Sequence, residues 1–260
     1  MFVSTGQRVS TLERLPVSTQ FLAQLMAQLH RTFRREVIFL GLALLPACAQ
    51  NVQFLPEVDT YVRLNSVLQT YLEAKSDQDA GDPLQAGIGP SLQLYLKPLV
   101  TLKEVTVFDL DNSKKRLFVL ETGYRYIAAP DTPTTNRMLN CATFNFPLRA
   151  GFHLSDRSRA DLDWTSGNFT WRYRNKLTVE RTFAVSSYHL IPYAAVEPYY
   201  ESKFGKWSTT ALYAGCLLPV GHHVEFNPYY EHENNTGGRA NHPENAVGLA
   251  VYLFFSGENK

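Results

Sequence analysis

The sequence predicts an all-β fold: an antiparallel transmembrane β-barrel of ten to twelve strands, with a cleaved N-terminal signal segment. Three observations carry this. First, Asn168–Arg181 alternates: Thr170, Arg172, Arg174, Lys176, Thr178 and Glu180 are polar, while Phe169, Trp171, Tyr173, Leu177 and Val179 are apolar or aromatic, with Asn175 the exception. Successive side chains of a strand point to opposite faces, so one face is charged and the other greasy. Second, similar alternation recurs along the chain with aromatics near strand ends, the pattern of apolar side chains toward lipid and polar ones toward a lumen. Third, there is an export signal but no run of eighteen apolar residues, so no helix is expected to span a membrane.

The N-terminal segment comes first. The apolar run Val37 to Leu45 follows Arg31, Arg34 and Arg35 and precedes Ala47-Cys48-Ala49. A basic stretch, a short apolar stretch and a small-x-small site make a secretory signal, expected to be cut before Gln50. Met26 would begin a leader of ordinary length, so residues 1–25 are expected to lie upstream of the true start. Leu45-Pro46-Ala47-Cys48 also reads as a weaker lipoprotein site, which would lipidate Cys48. The chain thus divides into a leader, 1–49, and one barrel domain, 50–260.

Strand-like segments bounded by turn residues then follow one another. They fall near Pro56–Leu64, Val67–Lys75, Ala86–Lys97, Lys115–Ile127, Leu139–Leu148, Gly151–Trp164, Asn168–Arg181, Leu190–Ser202, Lys206–Leu218, His223–Glu233 and Asn245–Phe255. Gly151–Trp164 sets His153, Ser155, Arg157, Arg159, Asp161 and Asp163 against Phe152, Leu154, Ala160, Leu162 and Trp164. Leu190–Ser202 sets Tyr193, Glu197, Tyr199 and Glu201 against Leu190, Pro192, Ala194, Val196, Pro198 and Tyr200. His223–Glu233 sets Glu225, Asn227, Tyr229 and Glu231 against Val224, Phe226 and Tyr230. The last strand offers Val247, Leu249, Val251, Leu253 and Phe255 outward and small Ala246, Gly248 and Ala250 inward.

These are eleven segments, whereas single-chain bacterial barrels use even numbers. Either Thr101–Leu110 adds a twelfth strand, which the sequence favours slightly, or Pro56–Lys75 is one bent strand. Short links near Arg149-Ala150 and Val220-Gly221 alternate with longer ones at Ser76–Gln85, Ala128–Arg137 and Asn234–Glu244. Short periplasmic turns and long outer loops give such alternation.

Removing the five basic and two acidic residues of 1–49 leaves 20 basic and 22 acidic groups, a net charge of −2. That is no electrostatic footprint for nucleic acid. Cys141 and Cys216 suggest neither a disulfide scaffold nor a metal site. Among the histidines, His232, Glu233, His242 and Glu244 flank one loop, but their spacing matches no defined metal site. No cofactor is expected.

Phe54-Leu-Pro-Glu-Val-Asp-Thr-Tyr, Trp171–Arg181, Glu197-Pro-Tyr-Tyr-Glu and Glu225-Phe-Asn-Pro-Tyr-Tyr resemble the bacterial family catalogued as domain of unknown function 2490. The resemblance spans nearly all of Phe54 to Phe255. It implies an outer-membrane barrel and no assigned activity.

The candidate site is the inward charge set: Arg157, Arg159, Asp161, Arg172, Arg174, Lys176 and Glu180, with Glu197, Glu201, Glu225 and Glu231. Neighbouring strands lie about 5 Å apart, so such charges can pair. The set reads either as a narrow pore or binding lumen for small polar solutes, or as a structural filling of salt bridges. His153-Leu154-Ser155 faintly resembles the His-x-Ser element of outer-membrane lipid hydrolases, but its parity places it in the lumen, away from lipid. Expected partners are outer-membrane lipid and the barrel-insertion machinery, since Gly248-x-x-Val251-x-Leu253-x-Phe255 looks like a terminal insertion signal. The tail Ser256–Lys260 departs from the usual terminal Phe.

Overall fold

The computed structural model describes residues 52–77, 84–96, 109–185, 188–238 and 241–256. The expected leader, 1–49, lies outside the described residues. The strands are β1 (Val52–Arg63), β2 (Leu68–Asp77), β3 (Gln85–Leu96), β4 (Phe118–Ala128), β5 (Thr135–Pro147), β6 (Phe152–Thr165), β7 (Asn168–Arg181), a short β8 (Phe183–Val185), β9 (Tyr188–Glu201), β10 (Lys206–Val220), β11 (Val224–Asn235) and β12 (His242–Ser256). No helix among the described residues is long and apolar enough to cross a membrane.

Consecutive strands pair antiparallel from β1 to β7, then β7 with β9 and on to β12. β8 extends the line of β7 beside the start of β9. β12 returns to β1, and eleven strands close a barrel. Eleven falls between the expected ten and twelve, and the expectation of an even number fails. An even count lets the first and last strands meet antiparallel, whereas β1 and β12 run parallel from Val52↔Asn245 to Arg63↔Ser256. The ring therefore needs no twelfth strand. Of Thr101–Leu110, residues 101–108 lie outside the described residues, and neither Asp109 nor Leu110 is in a strand. Pro56–Lys75 is not one bent strand: residues 64–67 form a turn between β1 and β2.

Side-chain facing explains this parallel register. It sets Phe54 beside Val247, Pro56 beside Leu249, Val58 beside Val251 and Val62 beside Phe255 on the outer face. The inner face pairs Leu55 with Gly248 and Glu57 with Ala250. A slip by one residue would turn every side chain to the wrong face. Across the barrel the outer face is apolar: Phe54, Leu72, Ile88, Leu92, Met138, Phe144, Leu177, Val179, Leu212 and Leu249 are exposed. Trp164, Trp171 and Trp207 also point outward, near strand ends. Charges are buried inside, Asp161, Glu197 and Glu225 almost completely.

Polar groups interrupt the outer face. Asp156 and Ser158 on β6 share the outward parity of Phe152 and Trp164, and Asn175 on β7 donates hydrogen bonds to both. Ser158 also bonds the Tyr173 hydroxyl at 3.1 Å. Thr122 on β4 donates to Asn140 on β5 on the same face. These polar groups satisfy one another, which lowers the cost of turning them outward.

Two rims bound the cylinder. One carries the two-residue hairpin turn between β6 and β7, with Ser166 at φ 50° and Gly167 at φ 81°. Both torsions lie in the left-handed region that such hairpin turns need and that glycine adopts without strain. The other carries the turn at Ala150 and Gly151. Cys141 points inward from β5 and Cys216 outward from β10; both are free thiols.

Candidate functional site

Among the described residues, two sizeable cavities lie in the barrel interior. The smaller, about 160 Å³, lies among Arg157, Arg159, Arg172, Arg174, Lys176, Tyr199 and Tyr213 on one side and Glu57, Glu73, Glu231 and Glu233 on the other. The larger, about 280 Å³, reaches toward the Gly151 rim, past Tyr61, Tyr71, Glu121, Glu180, Glu225 and Phe254. Glu57, Glu73, Arg157, Arg159, Lys176 and Tyr193 border both.

The cation wall follows from strand alternation and hairpin register. The tight turn at Ser166-Gly167 fixes the β6–β7 pairing, which sets Arg157 opposite Lys176, Arg159 opposite Arg174 and Asp161 opposite Arg172. Two of these cross-strand pairs join like charges, an arrangement that is destabilising by itself. Two buried carboxylates offset it. Asp161 lies 2.6 Å from Arg159 Nε, 3.5 Å from Arg172 Nε and 3.4 Å from Arg174 Nε. Glu197 on β9 lies 3.3 Å from Arg157, 3.7 Å from Arg174 and 3.8 Å from Lys176. Tyrosine rings support the cations: Arg174 sits over Tyr199 at 5.1 Å, and Lys176 over Tyr213 at 3.6 Å. Such stacking holds a cation against the electron-rich ring face.

Two other ion pairs in the lumen are matched one to one. Arg125 on β4 makes two 2.9 Å hydrogen bonds to Glu73 on β2. Arg137 on β5 does the same to Asp163 on β6, at 2.6 and 2.8 Å. Bidentate guanidinium–carboxylate pairs of this kind are strong and geometrically specific.

The Gly151 rim is crossed by residues 109–116, which include a single 3-10 turn, Asn112–Lys115. Asn145 on β5 donates to the carbonyls of Ser113 and Arg116, and Arg116 donates to the carbonyl of Ser66 in the β1–β2 turn. Lys114 pairs with Asp109 and donates to Glu180 on β7 at 2.8 Å. This strap forms part of the wall of the larger cavity. Burial opposes the Lys114 ammonium, yet the carboxylates around it, Asp109 and Glu180 foremost, outweigh burial and hold its pKa above the ordinary lysine value. Burial, then the charge of Asp109, pushes the Asp111 carboxyl upward.

Every residue of the predicted charge set faces inward, but the eleven do not form one site. Arg157, Arg159, Asp161, Arg172, Arg174, Lys176 and Glu197 gather on the cation wall. Glu231 borders the same cavity from β11. Glu201 lies near the Gly167 rim, where Ser208 donates to it at 2.5 Å. Glu180 and Glu225 stand instead at the strap end, around the larger cavity. Sequence reasoning missed Lys114, because its region read as a loop or an extra strand. It placed Tyr193, Tyr199 and Tyr229 on inward faces but left them out of the charge set, and it missed Tyr213 and the Arg125–Glu73 and Arg137–Asp163 pairs, whose inward parity was the available signal. His153 and Ser155 face the lumen, with His153 Nδ1 at 3.3 Å from Glu180. His232 Nδ1 donates to Asn245 Oδ1 at 2.9 Å.

No protein-family model matches the chain, and no curated protein does either.

Proposed function

We propose that this protein is a bacterial outer-membrane β-barrel whose lumen takes up small polar solutes, as a binding barrel or a narrow path. One observation carries the reading: an apolar outer face encloses an ionic interior that still leaves cavities of about 160 and 280 Å³. The barrel strands have 10 to 15 residues, enough for the roughly 9–11 that a tilted strand needs to cross a bilayer. The larger cavity is just below the ~300 Å³ at which drug-sized ligand pockets begin, which favours solutes of a few heavy atoms. The bacterial outer-membrane setting follows the resemblance to domain of unknown function 2490, as do lipid and the insertion machinery as partners.

A second reading has its own support. The paired arginines of β4 and β5 resemble the interior of a barrel filled for stability alone. His153 and Ser155, both within the lumen, give no support to a lipid hydrolase, whose catalytic groups must meet the bilayer.

Purified protein reconstituted in liposomes tests the proposal through swelling in isotonic glycine, glucose or succinate and through single-channel conductance. Uptake or conductance that falls with solute size is the expected result. Absence of uptake, together with absence of solute binding in micelles, would leave the structural filling as the function. Recovery of the protein in the inner membrane or the soluble fraction would overturn the location.

A further inference from the structure

We propose that the β6–β7 wall is a binding site for a small oxyanion, a carboxylate or phosphate group of the solute; this rests on the solute-uptake reading above. Charge matching separates this wall from the Arg125 and Arg137 pairs. Arg125 and Arg137 each have their own carboxylate, gripped by two hydrogen bonds. On the β6–β7 wall five cations, Arg157, Arg159, Arg172, Arg174 and Lys176, crowd around Asp161 and Glu197. The hairpin register sets Arg157 against Lys176 and Arg159 against Arg174, so like charges face each other in neighbouring strands.

Asp161 and Glu197 offset part of that repulsion with two charges against five; an anion placed between the cations offsets more of it. The donors for one are present. Arg157 Nε and Arg174 Nε are buried and make no hydrogen bond, although Arg174 Nε stays 3.4 Å from Asp161 and 3.7 Å from Glu197. Arg174 itself is 7% exposed, and both arginines border the smaller cavity. A guanidinium presents its N–H groups in a planar fork that fits carboxylate and phosphate oxygens, and a buried donor left unpaired is costly. The tyrosines hold the cation heads in place: Tyr199 lies beneath Arg174 and bonds Tyr213 at 3.1 Å, and Tyr213 lies beneath Lys176. The smaller cavity, about 160 Å³, suits a phosphate or a short dicarboxylate rather than a polymer. Across it stand Glu57, Glu73, Glu231 and Glu233 with Lys75, an acidic surplus that directs the anionic end of a solute to β6–β7.

The test uses full-length protein in detergent micelles at constant ionic strength, titrated with inorganic phosphate, succinate, glucose or putrescine. Calorimetry reads the affinity, and thermal unfolding reads the stabilisation. Phosphate and succinate are expected to bind and to raise the unfolding temperature, with glucose and putrescine weaker. Loss of one charge-assisted hydrogen bond is worth about 1.5–3 kcal/mol, so Arg157→Gln is expected to weaken anion binding at least ten-fold. The Arg157 side chain is 35% exposed and Glu197 keeps Arg174 and Lys176 beside it, so Arg157→Gln is expected to fold and keeps the test meaningful should Arg174→Gln fail to fold. Arg149→Gln, on the exposed turn outside the lumen, controls for net charge and is expected to bind as the parent does. Binding of glucose or putrescine without binding of either anion would overturn the oxyanion site and leave solute uptake standing. Anion binding unchanged by both Arg157→Gln and Arg174→Gln would also overturn it. Failure of all four probes to bind or to enter liposomes would remove both proposals.

Discussion

Replacing Asp161 by Asn removes one charge and almost no volume from the most crowded point of the lumen. Asp161 is 0% exposed and lies within 3.5 Å of the Nε atoms of Arg159, Arg172 and Arg174. The amide can still accept a hydrogen bond from Arg159, but it no longer offsets three cations. The 2.6 Å bond to Arg159 falls from about 1.5–3 kcal/mol, as a charged hydrogen bond, to about 0.5–1.5 kcal/mol, as a neutral one. Arg159, Arg172 and Arg174 lose this shared counter-charge together, which raises the total, and breaking a buried ion pair from one side costs about 3–5 kcal/mol. Full burial means that solvent screening does not reduce this. Asp161→Asn is therefore expected to lose about 3–5 kcal/mol in urea unfolding from micelles, with an unchanged slope. Phosphate should stabilise the variant more than the parent, because an added anion replaces the missing charge. A loss under about 0.5 kcal/mol, the range of an ordinary surface change, would refute the view that Asp161 neutralises this wall.

Three further outcomes follow from the geometry. Leu249 points outward from the middle of β12, so Leu249→Arg should cost about 2–4 kcal/mol on refolding into bilayers; an unchanged stability would mean that this face meets water. A Cβ at Gly248 would collide with the Tyr229 ring, so Gly248→Ala should push that ring into the smaller cavity and reduce solute binding. The free end of the ring can swing, which places the stability loss at the low end of the ~1–3 kcal/mol of overpacking, and unaltered solute binding would count against the contact. At the strap, the Asp111 carboxyl is held above its ordinary pKa, so its protonated form is favoured in the fold, and stability is gained as pH falls toward that pKa and lost as pH rises through it. Lys114 is raised as well, so its contribution is fully present below the ordinary lysine value of about 10.4 and is lost above it. Protease cutting within 109–116 should therefore slow at mildly acidic pH and speed up in strong alkali, and Lys114→Met should cut fast at neutral pH; faster cutting at pH 5 than at pH 7 would contradict the assignment.

The sequence showed most of the barrel because alternation is local. Phe169, Trp171, Leu177 and Val179 against Arg172, Arg174 and Glu180 decide two faces without knowledge of any partner strand. Closure is not local. The pairing of β1 with β12 joins residues nearly two hundred positions apart, and nothing in either strand's period says whether they run parallel or antiparallel. The same limit explains the site. That Arg159 and Arg174 face inward was readable; that they stand opposite each other depends on the register set by the turn at Ser166-Gly167. Lys114 was hidden for a different reason: its role comes from a connection folding back into the lumen, and irregular backbone has no period to read. Asp156 and Ser158 break the outer pattern of β6, and only the structure shows Asn175 answering them from β7.

The odd number of barrel strands has a topological result. Each strand carries the chain from one mouth of the cylinder to the other, so an even tally returns it to the mouth where it entered. Here Val52 opens β1 at the mouth that holds the Gly167 hairpin, and Ser256 ends β12 at the opposite one. If the cylinder spans a membrane, an epitope placed just ahead of Val52 and another just after Ser256 would answer antibodies from different compartments.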